Sequence, residues 1–331
     1  MKINIAILIS TYNGEKYIDS QVQSILNQEF DHAKYQVKLY LRDDGSTDGT
    51  KSIIKKIQSE NSCVVTLPET ENEGFAKSFL TLLEYASADY YLFSDQDDVW
   101  VPNKLSRFME TFIHYTVDES APIAVFSDAW VADKDAVSVG RRVLGNRTQR
   151  IVGDHLLFNQ QLFESFVQGA SLGINANVKE RFLLYDFDKI SFDESHDHFL
   201  GLIASSFGQL IYLDEPLINY RQTGSNEVGA RAINQGVTAK LVNLQNRIKE
   251  TSYLMLSGEL VLSRNPLKSS EYLELRKVNR SRTGSLTRLR FFWKNRELLS
   301  LRFPKRMAIV YTLLMRPTYL NNTSRNGCSK P

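Results

Sequence analysis

The sequence predicts an α/β fold built on a mainly parallel, doubly wound sheet. In the first part of the chain, short apolar runs alternate with stretches whose apolar residues recur at helical spacing. Three of the apolar runs end in polar clusters, as strands do at the ligand-binding edge of such a sheet. Because parallel neighbours need crossover connections, this alternation of strand and helix favours parallel pairing.

The alternation is clearest up to residue 115. We expect strands over Ile3–Ile9, Val37–Leu41, Val64–Leu67 and Tyr90–Ser94. We expect helices over Lys16–Gln28, Thr47–Ser59, Phe75–Tyr85 and Asn103–Tyr115. Pro102 precedes the last of these helices, at a position where the first helical turn tolerates proline.

The rest of the chain is less regular. The expected elements are strands over Ile123–Phe126, Ala170–Ile174 and Leu210–Tyr220, helices over Gln160–Val167 and His198–Ser206, and a polar loop over Asp133–Asp154. From Thr238 onward the pattern is helical and basic. We therefore expect a main domain over residues 1–235 and a basic helical C-terminal extension over residues 236–331.

Charge separates these two regions. The chain of 331 residues has a formal charge of +2, yet residues 236–331 contain 19 Lys and Arg against 5 Asp and Glu. Residues 1–235 contain 21 Lys and Arg against 33 Asp and Glu. A region of formal charge −12 is therefore followed by one of +14. An asymmetry of this size indicates a charged partner for the extension.

Composition excludes several classes of protein. A chain that is 42% hydrophobic and 24% charged is neither disordered nor a coiled coil. Cys63 and Cys328 stand far apart, which argues against a disulfide framework and favours a reducing compartment. No run approaches the roughly 18–20 apolar residues of a membrane-spanning helix, and the short N-terminal run indicates a first strand rather than a signal peptide. We expect a cytoplasmic protein.

Three polar clusters follow the predicted strands. They are Ser10–Asn13, Arg42–Asp48 and Ser94–Asp98. Because the carboxyl ends of parallel strands meet at one edge of a sheet, folding should bring these clusters together. Alternate residues of an extended segment share a face, so Asp95 and Asp97 should point the same way.

Grouped carboxylates repel one another, and without a counterion one of them tends to be protonated. Mg²⁺ or Mn²⁺ would relieve this repulsion, and magnesium favours one or two carboxylates together with phosphate oxygens. Such an ion can stabilise the charge on a nucleoside diphosphate as it leaves a sugar. The alternative is that these acids cap the next helix or face water, which the two neighbouring clusters disfavour.

The motifs resemble those of glycosyltransferase family 2, whose members have the GT-A fold. The resemblance is carried by Ile5–Gly14, Asp43–Thr50 and Asp95–Leu105, and Phe93–Trp100 is similar to the bacterial rhamnosyltransferase branch. It implies an inverting, metal-dependent enzyme that moves L-rhamnose from dTDP-L-rhamnose to a lipid-linked glycan in cell-surface or capsular polysaccharide synthesis. It also divides the main domain into a nucleotide-binding half, about 1–115, and an acceptor half, about 116–235.

The resemblance implies roles for the matched residues. Those that would contact the nucleotide are Ser10, Tyr12, Asp44, Lys77 and Asp95. Tyr12 would pack on the pyrimidine ring, and Asp44 would accept the imide N–H of the base. Asp97, together with Asp95, would bind the metal. Ser78 replaces an asparagine that is frequent in the branch, which weakens the assignment of the neighbouring Lys77.

An inverting transfer also needs a base to accept the proton of the acceptor hydroxyl. Asp197 resembles the catalytic carboxylate that opens a helix in this family, and its alternative role is an N-terminal cap. His196 is expected to line the acceptor site and His198 to pack. On a helix these two side chains diverge by about 200°, so a shared metal ion is not favoured.

Further residues are expected around the sugar and the acceptor, and Gln168, Gly169 and Arg221 are among them because they lie in segments that resemble those of the family. The full set is Trp100, Gln168, Gly169, His196 and Arg221. Glycine at position 169 would let the backbone approach a ligand closely. Trp100 offers a flat face to a sugar or packs in the core, and Arg221 supplies charge to the donor phosphates or pairs with a surface acid.

The basic extension interleaves Arg and Lys with Trp, Phe and Leu over Leu286–Arg306. This pattern suits an anionic membrane interface, and it predicts peripheral attachment to the inner face of the cell membrane. The alternative is a pair of helices that pack on the main domain with a solvated basic face. No nucleic-acid motif accompanies the charge, so no nucleic-acid partner is expected.

Two alternative functions remain open. Tyr12 and Asp44 would recognise only a pyrimidine, so the donor could be a UDP-hexose. A catalytically inactive sugar-nucleotide-binding protein is the second alternative, and the presence of Asp95, Asp97 and Asp197 argues against it. A dinucleotide dehydrogenase is excluded because no Gly-x-Gly-x-x-Gly follows the first strand.

Overall fold

The structure, a computed structural model, describes residues 2–151, 153–186, 196–223 and 253–280, together with residues 290 and 293. The chain divides into two compact units, residues 1–156 with 166–231 and residues 157–165 with 232–331. Residues 157–165, expected in the main domain, belong to the second unit. The predicted boundary near residue 235 falls outside the described residues and stays a prediction.

The described strands of the first unit form a single nine-stranded sheet. The strands are β1 (Ile3–Thr11), β2 (Tyr35–Asp43), β3 (Val64–Thr66), β4 (Tyr90–Ser94), β5 (Val99–Trp100), β6 (Ile123–Ala132), β7 (Ser138–Arg142), β8 (Leu172–Asn175) and β9 (Gln209–Arg221). Their order across the sheet is β3-β2-β1-β4-β8-β6-β9-β5, and β7 pairs with β6.

The first half of the sheet is parallel. Strand β1 pairs in parallel with β2 and β4, and β2 pairs in parallel with β3. Residues 5–9 of β1 are at most 1% exposed, so this central strand is buried on both faces, as parallel sheets require. The predicted α/β fold with a mainly parallel sheet is confirmed.

The second half of the sheet is mixed. Strand β8 runs antiparallel to both β4 and β6, whereas β6 and β9 are parallel. Antiparallel insertion of β8 lets the chain return across the sheet and places the segment that precedes β8 beside the end of β4.

The helices pack their apolar faces against the sheet. In the first unit they are α1 (Ile18–Leu26), α2 (Thr50–Glu60), α3 (Phe75–Tyr85), α4 (Lys104–Tyr115), α6 (Ala176–Phe182) and α7 (His196–Phe207), whereas α5 (Phe158–Glu164) belongs to the second unit. In α4 the buried residues Leu105, Phe108, Met109 and Phe112 follow helical spacing and join the core cluster of β1.

The middle of the chain contains more regular structure than predicted. The expected polar loop over residues 133–154 includes β7 and a 3₁₀ helix, Gly145–Arg150. Because the residues of β7 are almost all exposed, no alternation of apolar residues reveals this strand. Helix α6 was also missed, although Asn175 caps it by accepting a hydrogen bond from the Val178 amide.

The second unit is helical in its described part. Besides α5 it contains helical residues 253–263, a 3₁₀ helix at Pro266–Lys268 and a helix over Ser269–Arg280. Gly258 permits close packing, since a Cβ there would lie 2.7 Å from Leu162 Cδ1. The amphipathic segment Leu286–Arg306 lies outside the described residues apart from positions 290 and 293. Among the helices described, none has both the length and the apolar character needed to cross a bilayer.

Candidate active site

Strand register brings the three polar clusters to one edge of the sheet. Ser10 of β1 pairs with Arg42 of β2, and Ile9 pairs with Ser94 of β4. The three strands therefore end side by side, and the segments that follow them leave the sheet at the same edge. The clusters around Tyr12, Asp44 and Asp97 accordingly adjoin one another.

Gln96 joins the first cluster to the third. Its Oε1 accepts hydrogen bonds from the Tyr12 amide at 2.9 Å and from Thr11 Oγ1 at 2.5 Å, and its Nε2 donates to the Tyr12 carbonyl at 3.1 Å. Gly14 leaves room for this amide, because a Cβ at that position would lie 2.3 Å from Gln96 Oε1. Tyr12 is held by its backbone while its side chain is 46% exposed and accessible to a ligand.

Asp44 lies at the centre of a buried ion-pair network. Its carboxylate accepts hydrogen bonds from Arg42 Nη1 at 2.7 Å and from the backbone amides of Glu73 at 3.1 Å and Gly74 at 2.9 Å. Arg42 is itself fully buried and also donates to Thr70 and to Glu73. Asp44 therefore organises the loop that leads into α3, in addition to any contact with a base.

Lys77 of α3 belongs to the same network. Its Nζ lies 2.7 Å from Glu73 Oε1, whose second oxygen binds Arg42. The Lys77 side chain is 57% exposed, so the ammonium is near the surface of the site. To reach a diphosphate, Lys77 would have to exchange its contact with Glu73 for the ligand.

Ser10 and Ser78 form a direct hydrogen bond between their hydroxyls, 2.6 Å long. Ser78 is fully buried, and it links the end of β1 to α3. The residue that departs from the branch pattern thus has a structural partner in the first cluster.

The acidic cluster contains charge that the described residues only partly compensate. Burial raises the pKa of Asp97, and it raises the pKa of the fully buried Asp98 further, with Asp95 and Asp97 adding to the effect. Asp98 Oδ1 accepts a hydrogen bond from the Arg221 amide at 3.1 Å. Asp98 Oδ2 is buried and has no hydrogen-bond partner within the described part of the chain.

This uncompensated charge suits a divalent cation. Within the residues described, no group of three or more His, Cys, Asp or Glu converges on one point, so the chain alone does not complete a metal site. Magnesium takes one or two carboxylates and fills its remaining positions with phosphate oxygens and water. Asp97 and Asp95 fit such a site, in which the donor diphosphate would supply the other ligands.

Arg221 is buried beside the acidic cluster. It is 6% exposed, and its guanidinium donates to the carbonyls of Asp97 at 2.7 Å and Lys134 at 2.6 Å and to Ser20 Oγ at 3.3 Å. The group also lies over the Tyr17 ring, 5.0 Å from its centroid. Because the guanidinium donates to these carbonyls, Arg221 supports the backbone of the acidic cluster, and a contact with donor phosphates stays a prediction.

Trp100 lies in the core. It is 2% exposed, and the Lys104 ammonium lies 3.7 Å from the centroid of its indole ring. Because the ring is buried, it does not present a face to a sugar. Trp100 therefore packs in the core, which was the alternative stated for it.

The segment before β8 meets the start of α7. A Cβ on Gly169 would lie 3.3 Å from His196 Nε2 and 3.7 Å from Asp197 Oδ2, so the absence of a side chain permits this approach. Gln168 closes the same short turn, because its carbonyl accepts hydrogen bonds from the Ser171 amide at 2.9 Å and hydroxyl at 3.0 Å. Gly169 and Asp197 are therefore neighbours in space.

His196 packs behind this segment. It is 4% exposed and stacks on Phe79 with a centroid distance of 4.3 Å, and neither ring nitrogen has a hydrogen-bond partner among the described residues. Burial lowers the pKa of His196 to about 3, so the ring is neutral. His196 packs beside Gly169, and its expected place in the lining of the acceptor site stays a prediction. His198, as predicted, is buried.

Three residues of this edge were not predicted from sequence. They are Gln96, Arg42 and Lys104. Gln96 lies in a bend after β4, where strand periodicity gives no signal for the direction of a side chain. The burial of Arg42 and Lys104 leaves no signal either, since both are of residue types that normally face water.

The fold is of the GT-A type, which this chain shares with solved glycosyltransferase structures. Residues 6–164 match the model of Glycosyl transferase family 2. Over 324 residues, 93% of this chain and 98% of the relative, it is 25% identical to the dTDP-rhamnosyl transferase RfbG of Shigella flexneri. Over 93 residues, 28% of this chain and 16% of the relative, it is 33% identical to the poly(ribitol-phosphate) beta-N-acetylglucosaminyltransferase TarS of Staphylococcus aureus.

Solved structures support the same fold. S. aureus TarS 1-349 in complex with UDP superposes with a TM-score of 0.56 at 14% identity, covering 98% of this chain and 83% of that chain. The mannosyltransferase PcManGT from Pyrobaculum calidifontis, in complex with GDP-Man and Mn²⁺, superposes with a TM-score of 0.52 at 15% identity. The superposition covers 96% of this chain and 88% of that chain.

Proposed function

We propose that this protein is an inverting, metal-dependent rhamnosyltransferase that uses dTDP-L-rhamnose and a lipid-linked glycan acceptor in bacterial surface polysaccharide synthesis. The observation that carries the reaction class is the convergence of Tyr12, Asp44 and Asp97 at one sheet edge. The similarity to the S. flexneri dTDP-rhamnosyl transferase over 98% of that protein supports the donor.

On the donor side, Tyr12 packs on the pyrimidine ring and Asp44 accepts the imide N–H of the base. Asp44 keeps lone pairs for this contact, because a carboxylate offers about four acceptor sites and three hydrogen bonds to it are present. Asp97 and Asp95 hold Mg²⁺ or Mn²⁺, which when bound stabilises the negative charge of the departing diphosphate.

On the acceptor side, Asp197 accepts the proton of the attacking hydroxyl. The acceptor oxygen forms a bond to the anomeric carbon while the bond from that carbon to the diphosphate breaks, so the configuration inverts. The position of Asp197 beside Gly169 supports this role, because a glycine there leaves space next to the carboxylate. The nucleoside diphosphate leaves with the electron pair of the broken bond.

A UDP-hexose is the second candidate donor. It is supported by the structural similarity to TarS, whose solved complexes contain UDP and UDP-GlcNAc. The base contacts from Tyr12 and Asp44 suit uracil as well as thymine, so these two residues do not choose between the candidates.

A ligand screen separates the two donors. Thermal unfolding would be followed with dTDP-L-rhamnose, UDP-glucose and UDP-GlcNAc, each with and without Mn²⁺ or Mg²⁺. Preferential stabilisation by dTDP-L-rhamnose in the presence of metal is the expected result. Stabilisation by a UDP-sugar alone would transfer the proposal to the second candidate, and no stabilisation by any of them would contradict both.

Membrane attachment is part of the proposal. It is supported by the excess of 19 Lys and Arg over 5 Asp and Glu in residues 236–331, and by the lipid character of the proposed acceptor. Flotation with vesicles that contain anionic lipid should carry the full chain and not a chain that ends near residue 280. Equal flotation of both would exclude this role for the extension.

A further inference from the structure

Lys104, the first residue of α4, is a fully buried lysine in the wall of the site. It is 0% exposed, and its Nζ donates a hydrogen bond of 2.8 Å to the Ala170 carbonyl. The same atom lies 3.7 Å from the centroid of the Trp100 ring and 5.5 Å from that of Phe108. An ammonium in such surroundings is costly unless other groups compensate for the lost water.

The compensation comes from the acidic cluster. Burial holds the pKa of Lys104 well below its usual range, while the charges of Asp98 and Asp95 oppose this effect. Lys104 in turn favours the ionised form of Asp98. The lysine is therefore coupled electrostatically to the cluster that precedes its helix.

The hydrogen bond of Lys104 joins α4 to the short helix that precedes β8. Ala170 is the middle residue of the 3₁₀ helix Gly169–Ser171, and Gly169 lies against both His196 and Asp197. Lys104 is thus hydrogen-bonded to the short helix whose first residue, Gly169, adjoins the Asp197 carboxylate.

We propose that Lys104 is a positioning residue. It fixes the 3₁₀ helix Gly169–Ser171, and with it Asp197, relative to the acidic cluster. This inference rests on the proposed function, in which those two groups act on the acceptor and on the donor. The ammonium touches neither substrate. It acts by holding the Ala170 carbonyl, so its removal displaces the base and leaves the nucleotide contacts in place.

The test is a double-substitution cycle in the full-length protein. Lys104→Met and Asp197→Asn would be made singly and together, and the probe reactions would be binding of dTDP and release of dTDP from dTDP-L-rhamnose in water. Lys104→Met should bind dTDP within about threefold of the wild type and release it about 10- to 100-fold more slowly. In the Asp197→Asn background the same substitution should cause no further loss, because Lys104 acts through that base.

Lys179→Met is the matched control. Lys179 donates to the Ala86 carbonyl and lies 4.9 Å from the centroid of the Tyr91 ring, on α6 and away from the acidic cluster. Its substitution should lower the thermal unfolding temperature and leave the rate of dTDP release unchanged. A merely structural Lys104 would behave in the same way.

The outcomes are distinct. An equal loss from Lys104→Met in both backgrounds would overturn the positioning role, and so would an unchanged rate in a folded variant. If Asp197→Asn alone leaves the rate unchanged, the base assignment of the proposed function fails instead. If Lys104→Met does not unfold cooperatively, Lys104→Arg, whose larger head displaces the Ala170 contact, enters the same cycle with the same criteria.

Discussion

Gln96 holds Tyr12 through both of its backbone groups. The Gln96 amide accepts from the Tyr12 N–H at 2.9 Å and donates to the Tyr12 carbonyl at 3.1 Å. The ring proposed to pack on the base is thereby fixed to the segment that carries Asp95 and Asp97. The residues proposed for base recognition and for metal binding are consequently held together by Gln96.

Gln96→Met should weaken nucleotide binding and leave the fold intact. Loss of these hydrogen bonds costs about 1–2 kcal/mol, which corresponds to roughly five- to thirtyfold weaker binding of dTDP. Isothermal titration with dTDP measures it. Gln58→Met is the control, because the Gln58 side chain accepts a hydrogen bond from Thr66 on the exposed surface of α2. Equal affinities for wild type and Gln96→Met would show that Tyr12 does not depend on this support.

Arg42→Met should destabilise the first unit strongly. The substitution leaves Asp44, 2% exposed, without its buried cation, and breaking a buried pair costs about 3–5 kcal/mol. Urea unfolding gives the difference in free energy. In Lys51→Met only the exposed pair with Glu69 is lost, so a change below about 1 kcal/mol is expected. A loss as small as that for Arg42→Met would refute the network around Asp44.

Arg221→Lys should raise the metal concentration needed for donor binding. Lysine cannot reproduce the planar set of donors that reaches the Asp97 carbonyl, the Lys134 carbonyl and Ser20 together. Displacement of the Asp97 backbone would weaken metal-dependent binding of dTDP-L-rhamnose by about tenfold. The control is Arg107→Lys, whose guanidinium binds Glu215 on a partly exposed surface. Unchanged metal dependence in Arg221→Lys would contradict the supporting role.

Stability should depend on pH through His196. Burial lowers its pKa from 6.5 to about 3 in the folded protein, so between these values the unfolded chain binds more protons. The free energy of unfolding therefore falls as the pH decreases through this window, by up to about 1.4 kcal/mol per pH unit, and this contribution levels off below it.

Urea unfolding of wild type and His196→Phe as a function of pH isolates the effect. The variant should lack this slope, whereas His114→Phe, at an exposed position, should keep it. Parallel curves for wild type and His196→Phe would disprove the buried, neutral state.

Periodicity and strand-end clusters were sufficient to predict the sheet edge. Short apolar runs marked β1, β2 and β4, and the polar residues after them are neighbours in the structure. The side chains that support the edge could not be predicted in the same way. For Arg221 and Trp100 the sequence left a ligand contact and an alternative open, and both side chains are buried with partners inside the protein. Which way a polar or aromatic side chain turns depends on contacts distant in sequence, such as that between Arg221 and Asp97.

Local pattern also failed where tertiary pairing creates the element. Strand β7 is exposed along nearly its whole length and exists through its pairing with β6. Strand β5 has two residues, too few for any period to appear. The intrinsic preference of residues for a strand is weak compared with the effect of packing against neighbouring strands. Elements created by such packing therefore leave no recognisable pattern in the sequence.

The central claim is that donor binding and proton removal are performed by different carboxylates. The most direct measurement compares Asp97→Ala and Asp197→Asn for binding of dTDP-L-rhamnose with Mn²⁺ and for release of dTDP. Asp97→Ala should abolish metal-dependent binding. Asp197→Asn should bind the donor as the wild type does and release dTDP about 10²- to 10⁴-fold more slowly. Wild-type release by Asp197→Asn, or loss of donor binding in that variant, would contradict the division of roles.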